Sequence, residues 1–234
     1  IKPNNMAIFL SSSIGKKFLM SLSGLFLLTF MLVHLTVNSM ILFDNSGDLF
    51  NSAAHFMASN PIIRIVEPVL AIGFILHILY AIILTIHNFY TRPVGYKDQK
   101  LGHSSSWSSR NMFVLGILVF AFMVIHIANF FWKIKFTGHD LLADVTIHGV
   151  HMENTYALVT NLFIDWWWID IVYVIGSIAL GFHLYHAIWS AFQTLGWSNR
   201  FWRRRFNIIG LLLSIVIAGG FALIPLWVKI ASML

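Results

Sequence analysis

The chain has 234 residues, 58% of them hydrophobic and 10% charged, with a mean hydropathy of +0.78. A water-soluble fold of this length cannot hide that much apolar side chain, so the composition points to a membrane protein. There is no cysteine, which excludes disulfides, thiolate catalysis and cysteine-held iron-sulfur clusters.

A bilayer-spanning helix takes about 20 mostly apolar residues. Five stretches qualify, about 17–43, 62–90, 111–134, 166–195 and 206–231, and little chain is left for anything else. The expectation is one all-α membrane domain over residues 1–234 with five transmembrane helices. The opening "IKPNNMAIFLSSSIGKK" faintly resembles a signal peptide, but the apolar run after it outlasts the usual ~7–15 residues and meets no small-x-small cleavage site. It reads as the start of the first span.

That span contains "GLFLLTFMLVH", in which Gly24 precedes His34 by ten residues. The second span opens near Glu67 and Pro68 and carries Gly73 and His77 one turn apart. The third contains "GILVFAFMVIH", which repeats the phrase of the first 92 residues later: Gly116 stands for Gly24, Phe122 for Phe30, Met123 for Met31 and His126 for His34. The long connection that follows holds His139, His148 and His151 without a tight ligand pair, and is expected to be a solvated loop with room for a short helix. The fourth span opens at Trp166, Trp167 and Trp168, carries His183 and His186, and is flanked beyond its end by Trp197 and Trp202. These indoles suit the membrane interface as helix anchors. The fifth span has no histidine.

Lys and Arg in short loops set orientation. Lys2, Lys16, Lys17, Arg92, Lys97, Lys100, Arg110, Arg200, Arg203, Arg204 and Arg205 fall on one side, and Arg64, Lys133, Lys135 and Lys229 on the other. The first side is therefore expected to be cytoplasmic, with the N-terminus inside and the C-terminus outside. Eight of the nine acids agree, Asp98 alone lying on the cytoplasmic side. The net charge of +6 is thus a topology signal and gives no support to nucleic-acid binding.

Of the eleven histidines, His55, His103, His139, His148 and His151 fall in loops, and His87 lies near a span end where it can reach water. The deep ones are His34, His77, His126 and the pair His183 and His186, so each of the first four spans has at least one. An unpaired polar group in hydrocarbon costs several kcal/mol. Four consecutive helices with such a residue call for something inside the bundle that takes imidazole nitrogens. Two haems, each held by two histidines from opposing helices, would use one from each of the four spans. Ser21, Gly24, Gly73 and Gly116 are the small residues on which a porphyrin edge could lie, although glycine also serves plain helix packing. Counted from the span ends, His34 and His126 lie nearer the outer surface and His77 with the fourth-span pair nearer the cytoplasm, by roughly 9 Å at 1.5 Å per residue.

"SSIGKKFLMSLSGLFLLTFMLVHLTVN", "FNSAAHFMASNPIIRIVEPVLAIGFILHILYAI", "GILVFAFMVIHIANFFW" and "GFHLYHAIWSAFQTLGW" together resemble the dihaem cytochrome b membrane anchor of succinate:quinone oxidoreductases and fumarate reductases, of the single-subunit five-helix type. The likeness covers nearly the whole chain. It implies two haem b groups, one on His34 and His126 and one on His77 and a fourth-span histidine. In that family the fourth ligand lies thirteen residues before a helix-end glycine, as His183 does before Gly196; His186, ten residues before it, is the alternative. The likeness also implies an iron-sulfur subunit docked on the basic cytoplasmic face, a flavoprotein subunit with covalent FAD beyond it, a membrane quinone leaning to menaquinone, a bacterial inner membrane and room for a higher oligomer of the complex. Some members carry a glutamate two residues before the fourth ligand as part of a proton path; Gly181 stands there in this chain. Two rival readings are the cytochrome b of a quinone-linked hydrogenase or formate dehydrogenase, and a transporter using intramembrane histidines as proton relays.

A quinone site exchanges protons and needs a titratable group within reach of water. Glu67 is the candidate, ten residues or about 15 Å outward of His77 along its helix. Pro68 could kink the helix beside it. The plain alternative is a surface ion pair between Glu67 and Arg64, one turn earlier.

Overall fold

The computed structural model describes residues 12–91, 107–197 and 199–234. Lys2, Arg92, Lys97, Asp98, Lys100 and His103, all used above, lie outside them. Five helices are long and apolar enough to cross a membrane: Ser13–Leu42, Pro61–Thr91, Met112–Thr137, Trp167–Thr194 and Arg200–Ala231.

In chain order, α1 (Ser13–Ser39) leads through a 3-10 turn (Met40–Leu42) to α2 (Asp48–Ser59), then α3 (Pro61–Thr91). The short α4 (Trp107–Arg110) precedes α5 (Met112–His126), which continues in wider π-helical turns over Ile127–Phe131 and Lys133–Thr137. After a 3-10 turn (Asp140–Leu142) come the strands β1 (Asp144–Ile147) and β2 (Val150–Glu153), then α6 (Thr155–Asp165), α7 (Trp167–Thr194) and α8 (Arg200–Ala231). The fifth span begins earlier than its apolar run because the Asn199 side chain caps it, accepting from the Phe201 and Trp202 amides.

Hydroxyls facing lipid or the bundle interior must be satisfied close by. Thr29, Thr85, Ser177 and Ser214 each donate to a carbonyl three or four residues back. The end of α7 is fixed by Gly196, whose φ of +79° places it after the last helical turn. Its amide bonds to Gln193 O, the Trp197 amide bonds to Phe192 O, and the Phe192 and Trp197 rings stack 5.8 Å apart. This is a Schellman ending with its hydrophobic contact.

The neighbours in the bundle are α3 on α1, α1 on α7 and α7 on α5, while α8 packs outside against α7 and α1. Among the described residues α3 and α5 are not packed closely along their backbones. The four helices therefore form a square open on one side, in which α1 faces α5, and α3 faces α7, across the diagonals. Most apolar side chains of α3 and α5 point outward and are exposed, as expected of surfaces that meet lipid rather than water.

One end of the bundle is built from the long connection. Tyr173, Phe163, Phe50, Ile41 and Ile224 form its core. The three loop histidines have local roles there. His139 accepts from the Leu141 amide, His151 meets Thr146 Oγ1 at 3.0 Å, and His148 (φ +51°) forms with Gly149 (φ +80°) the two-residue turn of the β1–β2 hairpin. No group of three or more metal-ligating side chains occurs among the described residues. The loop also holds more structure than expected, because the hairpin and α6 are pinned to α2. The buried Asn51 donates to Asn154 Oδ1 at 3.0 Å and accepts from the Tyr156 amide at 2.8 Å. The opposite end carries Lys16, Lys17, Arg110 and Arg200 to Arg205. Arg205 lies 3.5 Å over the Phe201 ring, and Arg203 5.8 Å from the Trp189 ring. These are called below the hairpin end and the arginine end.

Replacing Asn51 by Leu strands the Tyr156 amide, an unpaired group costing about 1–3 kcal/mol, and leaves Asn154 Oδ1 with the Ala157 amide alone. The thermal midpoint should fall and proteolysis of the hairpin-end loop should quicken; an unchanged midpoint would show that the network contributes nothing.

Candidate histidine-pair site

The bundle interior holds two pairs of imidazoles, each on one diagonal. The ring centroids of His34 on α1 and His126 on α5 lie 5.7 Å apart with the planes at 87°. Those of His77 on α3 and His183 on α7 lie 6.3 Å apart at 67°. Thus the residues expected to act together are together. His186, one turn beyond His183, makes no ring contact with either pair among the described residues.

The glycines fix the levels of the pairs. A Cβ on Gly24 would sit 3.4 Å from His77 Cε1, and one on Gly116 would sit 4.0 Å from His183 Cε1. Each glycine therefore serves the other pair, not the histidine of its own helix. Since His34 and His126 are each ten residues further along, the pairs are stacked about 15 Å apart. This exceeds the roughly 9 Å obtained from the span ends, because those ends are not level. Gly73 has another use: it accommodates the Phe26 ring, which a Cβ there would approach to 2.9 Å. Ser21 is buried on α1 and forms no hydrogen bond among the described residues.

The His34–His126 pair lies at the hairpin end in an aromatic box. Phe30 stacks on His34 at 5.1 Å and Phe221 lies 5.7 Å away. Phe130, Phe122 and Tyr173 surround His126 at 5.3, 5.9 and 6.0 Å. Gly176 makes room for Phe122, whose ring occupies the place a Cβ would take. The Tyr173 hydroxyl accepts from Asn129 Nδ2 at 3.2 Å.

Hydrogen bonding distinguishes the pairs. Ser23 Oγ donates its one proton to Met20 O at 3.0 Å and lies 3.1 Å from His77 Nδ1. With that proton committed, the oxygen accepts from Nδ1–H, and the lone pair of His77 is left on Nε2. A hydrogen-bond partner on the other ring nitrogen is what orients a metal-binding imidazole. Asn38 Nδ2 bonds to His34 O at 2.8 Å, but its 3.5 Å separation from His34 Nδ1 is too long to hold the ring. His126 Nδ1 and His183 Nδ1 are buried with no hydrogen-bond partner.

Do these residues fit an iron between each pair? Imidazole nitrogens sit about 2.0–2.1 Å from a first-row metal, which puts facing ring centres roughly 6.3 Å apart across it. The His77–His183 separation of 6.3 Å matches that span, the His34–His126 separation of 5.7 Å is shorter than it, and Gly24 and Gly116 leave room for the His77 and His183 rings. The donor set, neutral imidazole on opposed helices in an apolar interior, suits haem iron.

Glu67 lies at the hairpin end of α3. Its Oε2 receives Lys135 Nζ at 2.9 Å, both side chains being 36% exposed. The expected alternative partner, Arg64, instead donates through Nε to Ala58 O. Lys135 lies in the π-helical extension of α5, so the ion pair bridges α3 and α5 across the open side of the square. The α3 helix runs unbroken through Pro68.

Sequence reasoning missed Ser23, Tyr173, Asn129 and Lys135. Ser23 stands 54 residues from the imidazole it serves, a separation that carries no periodic signal. Asn38 was open to detection, lying four residues after His34. The chain matches no protein-family model, no curated protein and no solved structure; what the fold defines is a multi-pass helical membrane protein.

Gly24→Val or Gly116→Val should displace the His77–His183 pair and spare the other, so that haem bound per chain falls by about half. Loss of both haems, or of neither, would contradict the assignment of these glycines.

Proposed function

We propose that the chain is the membrane anchor and electron-transfer subunit of a quinone-linked succinate dehydrogenase or fumarate reductase, holding two b haems. The observation that carries the reading is the pair of imidazole pairs, one on each diagonal of a four-helix square and about 15 Å apart along it. Haem supplies a one-electron centre whose potential follows its ligands, hydrogen bonds and burial. His34 with His126, and His77 with His183, are the residues that would hold the irons. Ser23 presents His77 with Nε2 free, and the apolar box around His126 keeps water out.

The arginine end is the proposed landing surface for an iron-sulfur subunit, with a flavoprotein carrying FAD and the succinate chemistry beyond it. Stacking of Arg205 and Arg203 on aromatic rings holds these cations at the surface in a form suited to an acidic partner. On the basic-loop rule this end faces the cytoplasm of a bacterial inner membrane.

The hairpin end is the proposed quinone side. Quinone reduction takes up two protons and quinol oxidation returns them, and Glu67 is the carboxylate placed to exchange them. Its position on the open side of the square leaves it accessible from the membrane, and partial exposure connects it to water. Lys135 holds the carboxylate in an ion pair, which must open when the site takes a proton.

Glu67→Gln in the assembled complex tests this role. Both haems and dye-linked succinate oxidation should survive, while quinone-linked turnover falls at least tenfold. Unchanged quinone turnover would remove Glu67 from the site.

A further inference from the structure

One of the four paired histidines is held differently from the rest, by a grip that two helices build together. The Nδ1–Cε1 edge of the His77 ring lies against α1. A Cβ on Gly24 would sit 3.4 Å from Cε1 and 3.8 Å from Nδ1, and Ser23 Oγ stands 3.1 Å from Nδ1. Contact along that edge leaves Nε2 as the free nitrogen.

The register that brings Ser23 to His77 is set one turn away. Helices α1 and α3 pack on each other and run in opposite directions, so three residues after Ser23 meets four residues before His77. There Phe26 seats on Gly73, where a Cβ would come within 2.9 Å of Phe26 Cε1. A ring seated on a glycine limits how far one helix slides along the other, and so preserves the 3.1 Å contact.

The Ser23 hydroxyl proton goes to Met20 O at 3.0 Å. The chain of bonds therefore has one direction, from His77 Nδ1–H to Ser23 Oγ and from Ser23 Oγ–H to Met20 O, and each bond polarises the next. An acceptor on Nδ1–H makes Nε2 a more basic ligand. A more basic ligand favours ferric over ferrous iron, which lowers the midpoint potential.

Among the described residues, none of the other three histidines has such an acceptor. His126 Nδ1 and His183 Nδ1 are buried without a partner. Asn38 Nδ2 stands 3.5 Å from His34 Nδ1, but it is a donor and is already given to His34 O at 2.8 Å. The cations of the arginine end act in the opposite sense to Ser23, since positive charge favours the reduced iron.

We propose that Ser23 tunes the His77–His183 centre, holding its potential below the value that these two imidazoles would otherwise give, while the His34–His126 centre has no counterpart. The proposal rests on the two-haem reading above. Ser23 is a positioning residue, acting through His77, and it lets two centres of the same ligand chemistry be set independently.

The test is a redox titration of the purified complex, with haem content per chain and the EPR spectrum of the oxidised form measured on the same sample. Ser23→Ala should keep two haems and raise one midpoint, so that at the wild-type midpoint of that haem the ferrous-to-ferric ratio rises at least about threefold, or about 28 mV for one electron. Its low-spin EPR signal should move and the other should not. His77→Ala identifies it as the component that is lost. Ser23→Thr, which keeps the hydroxyl, should return the wild-type midpoint. If Ser23→Ala sheds this haem, Ser23→Thr must hold it at the wild-type midpoint, and failure to do so would overturn the proposal. Two haems with unchanged midpoints in Ser23→Ala, a fall in place of the rise, or a shift confined to the His34–His126 haem would also overturn it, and would leave the two-haem reading intact. A wild-type complex without haem bands would sink that reading and the proposal with it.

Discussion

An imidazole inside a bilayer cannot be left alone, and the arrangement of this molecule follows from that constraint. Water is absent from the hydrocarbon region, so a polar ring there must face inward and find a partner. With one such ring on each of four helices, the helices are obliged to turn those faces to a common interior. The diagonals then decide who meets whom. Because α1, α7 and α5 pack in sequence and α3 packs on α1, the first and third spans face each other, as do the second and fourth. The repeat that places a glycine ten residues before His34 and again before His126 serves both diagonals at once, since each glycine clears space beside the pair it does not belong to.

The same geometry explains why α8 stands apart. It carries no deep histidine and packs outside, against α7 and α1, burying Ile217 and Ile224 there. The price of leaving α3 and α5 unpacked is an open flank. At the hairpin end that flank is spanned by Glu67 and Lys135, whose partial exposure makes the pair weak as a structural brace. The π-helical turns after His126 belong to the same device, since Asn129 and Lys135 both lie in them. Such turns recur where a helix must redirect side chains for a site.

Much of this was legible in the amino-acid order, and the reasons are specific. The five spans could be read because bilayer thickness sets their length, and the structure moves their ends by only a few residues except where Asn199 starts the last helix early. The partnerships of His34 with His126 and of His77 with His183 could both be read from depth within the spans. Other features depend on tertiary contact and left no local trace. Ser23 serves an imidazole on another helix. Glu67 pairs with a lysine 68 residues away rather than with Arg64 on its own helix. The hairpin beyond the third span hid in a polar loop, its two-residue turn formed by His148 and Gly149 instead of the commoner Asn-Gly. Gly196 was visible as a ruler for His183, but its physical role is to end α7.

The central claim is that each imidazole pair holds one haem iron. The most direct measurement is the haem content of the purified chain, by reduced-minus-oxidised and pyridine haemochrome spectra with protein quantified on the same sample. Two low-spin b haems per chain are expected. A chain that is folded in the membrane and yields no haem bands, or only one haem, would contradict the claim.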